Sequence, residues 1–201
     1  DAAPTISGCR FGANAGAPVR LLGTSYPELS GDLGPSDQGI WINPTTLAHS
    51  GTWQFAGIPY VLNGDVTVPD TVRLDLEPGV VIKGNSYFHS FLVYGDLRAA
   101  TTGADSVIFT SIHDDRGGDT NQDAGADEPA VAAPDDWGGI HFYPDATGRL
   151  EGVALRYGGG ETNGLLVVDD ASAVTVTGCE LARSQEDGIW VRNASPTITA
   201  F

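Results

Sequence analysis

The sequence predicts an all-β protein wound as a parallel β-helix, a solenoid of short strands, and three observations predict it. The first is a repeat in the second half of the chain. Gly139-Ile140-His141-Phe142-Tyr143 returns as Gly164-Leu165-Leu166-Val167-Val168 and again as Gly188-Ile189-Trp190-Val191-Arg192, at steps of 25 and 24 residues. Between these phrases Gly152-Val153-Ala154-Leu155 is answered by Gly178-Cys179-Glu180-Leu181, 26 residues on. A fixed period in this range means stacked units. The second observation is alternation of apolar and polar residues inside each phrase, which suits short strands rather than helices. Stacked coils of such strands make a solenoid. The third is composition: 27 glycines and 12 prolines in 201 residues call for many turns and leave little room for helix.

Taken in order, residues 1–51 lack the repeat. They are rich in Gly, Pro, Ala and Ser, with apolar islands at Val19-Arg20-Leu21-Leu22 and Ile40-Trp41-Ile42. They read as an irregular N-terminal segment that caps or flanks the stack, because a solenoid's first coil must be covered. The solenoid is expected over residues 52–201. Tyr60-Val61-Leu62, Val66-Thr67-Val68, Val72–Leu76 and Val80-Val81-Ile82 are its first strands, punctuated by Asn63-Gly64-Asp65, Pro69-Asp70 and Glu77-Pro78-Gly79. Phe91–Leu97 and Ser106–Thr110 form the next coil. Residues 113–136 then interrupt the period as an acidic insertion, and the coils resume at Trp137. Ser195-Pro196-Thr197-Ile198-Thr199 starts a further strand with no cap after it. The expectation is that this edge pairs with another copy, giving a homopolymer, or that the natural chain runs on.

The chain carries 26 acidic and 10 basic residues, a net charge of −16. That charge repels nucleic acid and anionic membranes, and no apolar run is long enough to span a bilayer. Lys83 is the only lysine, against nine arginines, and methionine is absent. A chain that begins without methionine is expected to have lost a signal peptide, which places it outside the cell or at its surface. Cys9 and Cys179 could then pair. The repeat, however, puts Cys179 at the inward position of Val153, where a buried thiol is the simpler reading.

The run Gly64-Asp65-Val66-Thr67-Val68-Pro69 and the run Leu74-Asp75-Leu76-Glu77-Pro78-Gly79-Val80-Val81-Ile82-Lys83 resemble right-handed parallel β-helix repeat proteins. So does Ile108-Phe109-Thr110-Ser111 with the Asp114-Asp115 and Gly117-Gly118-Asp119-Thr120-Asn121 that follow. These are secreted or surface proteins of the pectate-lyase-like superfamily, and the resemblance covers residues 52–201. It implies a right-handed coil. For function it implies a range, from adhesins and surface-layer proteins to carbohydrate-active enzymes.

Three constellations could carry chemistry. In the acidic insertion, Asp119, Asn121 and Asp123 alternate, so their oxygens can converge from one loop on Ca²⁺, with Asp114, Asp115 and Asp127 as further candidates. The loop is not an EF-hand, since Ala130 stands where the bidentate glutamate belongs. Next is an outward column. If Ile140, Leu165 and Ile189 point inward, then His141, Leu166 and Trp190 point out, Phe142, Val167 and Val191 point in, and Tyr143, Val168 and Arg192 point out. An apolar and aromatic stripe of this kind asks for a cover: the N-terminal segment, a partner, or a glycan. The third is a set of carboxylate pairs, Asp169/Asp170 and Glu186/Asp187, near Arg156 and Arg192. Adjacent acids in turns are more simply turn formers, so no catalytic residue is assigned. The four histidines have no metal-ligand spacing. The function expected is an extracellular structural or adhesive β-helix, able to polymerise through strand edges and stiffened by calcium. The alternative is a carbohydrate-active enzyme, either a polysaccharide lyase or a glycosidase, or else a glycan-binding module.

Overall fold

The computed structural model describes residues 4–12, 14–22, 28–30, 38–101, 105–122, 132–171 and 173–199. Among them there is no helix; every regular element is a strand. The chain climbs in coils of three strands. The first coil is β4 (Ile40–Ile42), β5 (Thr45–Thr46) and β6 (Gly51–Trp53), preceded by β1 (Thr5–Ser7), β2 (Val19–Leu21) and β3 (Glu28–Ser30). The second is β7 (Tyr60–Leu62), β8 (Val66–Val68) and β9 (Arg73–Leu76), and the third is β10 (Val81–Gly84), β11 (Ser90–Val93) and β12 (Asp96–Ala100). The fourth is β13 (Ile108–Ser111), β14 (Gly139–Phe142) and β15 (Thr147–Glu151). β16 (Ala154–Arg156), β17 (Gly164–Asp169) and β18 (Ala173–Thr177) make the fifth, and β19 (Glu180–Ala182), β20 (Asp187–Arg192) and β21 (Thr197–Thr199) the sixth.

Each strand pairs in parallel with its counterpart one coil away. Three long sheets result, a first of seven strands from β2 to β19, a second of six from β5 to β20, and a third of six from β6 to β21, while β1 and β3 pair in a separate two-stranded sheet. This is a parallel β-solenoid, as the repeat predicts.

Alternation puts like residues in register inside the coil. Ile40, Tyr60, Ile82, Phe109, Leu155 and Leu181 form one inward column of the first sheet. Val66, Phe91, Ile140, Leu166 and Ile189 form one in the second sheet. Each buried side chain of this kind stabilises by about 1.5–3 kcal/mol. Large rings need small neighbours: a Cβ on Gly148 would lie 2.3 Å from Phe142 Cε1. Core aromatics interlock along the axis, with Trp53 stacked on Tyr60 at 4.8 Å and Phe91 edge-on to Phe109 at 5.8 Å.

The corners are also laddered. After the first-sheet strands, Arg20 Nη1 donates to Asn43 Oδ1, Asn63 Nδ2 to Asn43 Oδ1 and Asn85 Nδ2 to Asn63 Oδ1, with His89 Nδ1 2.5 Å from Asn85 Oδ1. After the second-sheet strands, Asp145, Asp170 and Asn193 each take a left-handed conformation, with φ of 66°, 51° and 48°. Short polar side chains tolerate that region best. Asp170 is therefore a turn former, as expected.

One boundary differs from expectation. The solenoid does not begin at residue 52, since β4, β5 and β6 already close a coil and β2 extends the first sheet further. The Ile40-Trp41-Ile42 island is a true strand, buried at both isoleucines. It escaped the repeat because its coil partners are only two or three residues long. The acidic insertion also has structural work. Its described part, residues 113–122, straps the outer face of the first sheet. Lys83 is 0 % exposed and its Nζ donates to the Gly118 carbonyl. A Cβ on Gly117 would meet the Val81 side chain at 3.0 Å, so the strap lies against the strand itself. Both cysteines are free, Cys179 buried at the inward position and Cys9 exposed.

Candidate functional site

The outer face of the second sheet holds the constellation that the structure assembles. The register brings Thr67, Leu92, His141, Val167 and Trp190 into one outward column. Beyond them, Tyr94 and Tyr143 follow β11 and β14, and Asp169 and Arg192 end β17 and β20. A corner-to-corner stack results. Tyr94 and Tyr143 lie parallel at 4.3 Å, and Tyr143 and His141 at 3.8 Å. His141 Nε2 stands 4.0 Å from Asp169 Oδ2. Asp169 is gripped at both oxygens by Arg192, with Nε to Oδ1 at 2.6 Å and Nη2 to Oδ2. The Arg192 guanidinium in turn lies over the Trp190 ring at 5.5 Å.

Beside the stack is a cavity of about 300 Å³, lined by Asp65, Ser90, Leu92, His141, Tyr143, Glu161, Thr162, Asn163 and Val167. Its far wall is the loop after β16. Thr162 pins that loop to the sheet, its one hydroxyl proton shared between the Gly138 carbonyl at 2.8 Å and the Gly164 carbonyl at 2.6 Å. Asp65 Oδ1 accepts from the Ser90 amide at 2.9 Å, which fixes its carboxylate at the floor.

Burial and charge set the ionisation of these groups. Burial lowers the His141 pKa; Asp169 opposes this and Arg192 adds to it, so the imidazole is neutral at neutral pH. The Tyr143 hydroxyl is pushed up to about 12, chiefly by burial and then by Tyr94. The Arg192 hydrogen bonds hold the Asp169 carboxyl below the usual carboxylate range against the opposing effect of burial. Asp169 is thus a fixed anion and not a proton donor.

The sequence-derived candidates divide accordingly. His141, Tyr143, Trp190 and Arg192 do share one outward face. Leu166 does not: it is 0 % exposed in the core, and Val167 takes the outward position. Aligning the repeats on Gly139, Gly164 and Gly188 caused the error. Pairing sets Ile140 against Leu166 and Leu166 against Ile189, steps of 26 and 23 residues, so Val168 faces inward as well. Leu165 is buried too, because the loop after β16 covers it; a Cβ on Gly158 would sit 2.7 Å from Leu165 Cδ1.

In the acidic segment Asp114 turns inward. It accepts the Thr110 hydroxyl at 2.5 Å and the Arg116 amide at 3.2 Å. The Asn121 amide meets His113 Nδ1 at 3.1 Å. Asp115 and Asp119 lie in the same strap, half-buried. Asp123 and Asp127 lie outside the described residues. Among the described residues no three His, Cys, Asp or Glu side chains gather as a metal site. Of the carboxylate pairs, Asp169 and Asp170 separate into an ion pair and a turn, and Arg156 is bound to Glu180.

Sequence reasoning missed Asp65, Tyr94 and the Glu161–Asn163 wall. One signal was available for Tyr94. Val93-Tyr94-Gly95-Asp96 and Phe142-Tyr143-Pro144-Asp145 repeat an apolar–Tyr–turn–Asp phrase.

No family model, curated protein or solved structure matches this chain.

Proposed function

We propose that this chain is an extracellular structural or adhesive β-solenoid, of the secreted and surface type within the pectate-lyase-like superfamily, that binds a glycan on the flank of its second sheet without turning it over. The observation that carries the reading is the Tyr94–Tyr143–His141 stack standing beside a polar cavity on a rigid face. A sugar presents apolar C–H faces and a rim of hydroxyls. Aromatic rings next to fixed carboxylates, amides and hydroxyls complement both. The columns of side chains that run the length of the coil hold these groups in place, as a scaffold for ligand presentation requires.

Turnover fits less well. Hydrolysis by paired carboxyls needs one proton donor and one anion at a set separation. Asp169 is locked as an anion by Arg192, and Asp65 holds the Ser90 amide through one of its two oxygens. His141 Nε2 is shielded from solvent, so that nitrogen does not reach a substrate proton. A screen of acidic, neutral and basic polysaccharides, scored for both binding and product release, tests the proposal. Binding without product supports it. Product release moves the reading to a carbohydrate-active enzyme. Neither binding nor product removes the glycan altogether.

A further inference from the structure

The flank offers two cavities, and the tyrosine stack stands between them. Tyr143 lines the first, of about 300 Å³. Tyr94, stacked on it at 4.3 Å, lines a second of about 370 Å³ at the next corner, with Asp70, Arg73, Asp96 and Asp145 around it. Tyr94 is 38 % exposed, so its ring edge is open along the ridge. Each cavity is at the small end of the range for ligand pockets. A ligand that uses both must be an oligomer that crosses the ring pair.

Charge narrows the class. The first cavity carries the carboxylates Asp65 and Glu161 and, among the described residues, neither arginine nor lysine. Its histidine is kept neutral by burial. The second carries Asp70, Asp96 and Asp145 against Arg73; Arg73 is paired with Asp75 at 2.9 Å and Asp96 with Arg98 at 2.7 Å, so Asp70 and Asp145 set its sign. The nearest strong cation on this face, Arg192, is spent on Asp169. The net charge of −16 gives the field around both cavities the same sign. Uronates and sulfated sugars are repelled by such a lining, and ammonium groups are attracted.

We infer that the ligand of this flank is an amine-bearing saccharide oligomer, laid across the Tyr94–Tyr143 stack with one sugar in each cavity and its ammonium groups toward Asp65, Glu161 and Asp70. The inference rests on the glycan reading above. The exposed Tyr94 ring and the ring edge of Tyr143 supply the apolar contact, and the carboxylates select the charge.

Calorimetric titration of the full chain with four probes tests it: glucosamine oligomers, N-acetylglucosamine oligomers, galacturonate oligomers and poly-lysine. The glucosamine oligomer is expected to bind tightest, with an advantage over its N-acetylated form that shrinks as salt is added. Glu161→Gln is expected to weaken the glucosamine oligomer by about threefold and leave the N-acetylated one unchanged. Tyr94→Ala, at an exposed ring, is expected to weaken both by about tenfold with the circular dichroism spectrum intact. Equal binding of the two sugars, or tighter binding of galacturonate, overturns the amine assignment and leaves the glycan reading standing. Poly-lysine binding as tightly as the glucosamine oligomer also overturns it, since charge alone would then suffice. Failure of every saccharide removes both readings.

Discussion

Asp169 and Arg192 face each other across one coil step and close a two-point ion pair that ties the fifth coil to the sixth on the outer face of the second sheet. Asp169 is only 6 % exposed, whereas the Arg192 side chain is 55 % exposed. The pair is therefore lopsided, with a shielded anion and a solvated cation.

Removing the cation exposes that asymmetry. Arg192→Ala leaves a shielded carboxylate without its partner, which is expected to lower stability only slightly because solvent reaches the arginine's place. The Asp169 pKa is expected to rise, and so is that of His141, since Arg192 lowers both. Carboxyl and imidazole titration by NMR in the two proteins checks this. Unchanged Asp169 titration would deny the pair its electrostatic role.

His141 makes stability depend on pH in a defined direction. Its folded-state pKa lies below the unfolded value of about 6.5, so the unfolded chain binds the extra proton first. The stability tied to the neutral ring is present above that value and is lost as pH falls toward the folded pKa. His141→Phe keeps a ring on Tyr143 and removes the titration. Urea denaturation across pH 5 to 7 is expected to show a steeper loss in the parent chain than in the variant.

Lys83 reports on the acidic strap. As the only lysine, 0 % exposed beneath Gly118, its amine should react with an acylating reagent only when the strap opens. Mass spectrometry is expected to find Lys83 protected in the native state and labelled as denaturant is raised. Lys83→Ala removes the stem and the hydrogen bond together, at an expected cost of about 2–4 kcal/mol. Rapid native-state labelling would mean that the strap does not cover the sheet.

Gly148 marks where the core has no spare room. Gly148→Val drives a branched side chain against the Phe142 ring and is expected to cost about 1–3 kcal/mol by overpacking. Phe142→Leu in the same chain should recover part of it, which thermal denaturation of the single and double variants would show.

The coil was legible because alternation with a fixed period is written locally: Gly139–Tyr143 and Gly188–Arg192 carry it in five residues each. Register was less legible. The Gly164 phrase could be aligned on its glycine, and only the pairing of Ile140 with Leu166 shows that the strand is shifted by one. The first coil was hidden because Thr45–Thr46 is too short to show alternation. The site was the least legible part. Asp65, Tyr94, His141 and Glu161 come from three coils and a corner loop, and no sequence interval records that stacking brings them together. The acidic segment reads as a ligand loop, and its described part covers Lys83 and is tied down through Thr110 and Asp114.

The most direct test of the flank as a glycan site is an NMR titration of the full chain with a glucosamine oligomer, following the Tyr94 and Tyr143 rings and the His141 imidazole. The account expects these signals to shift together and saturably, while the outward Thr175 and Thr197 of the third sheet stay unmoved. Shifts confined to other faces, or none at the three rings with every saccharide tried, would contradict it.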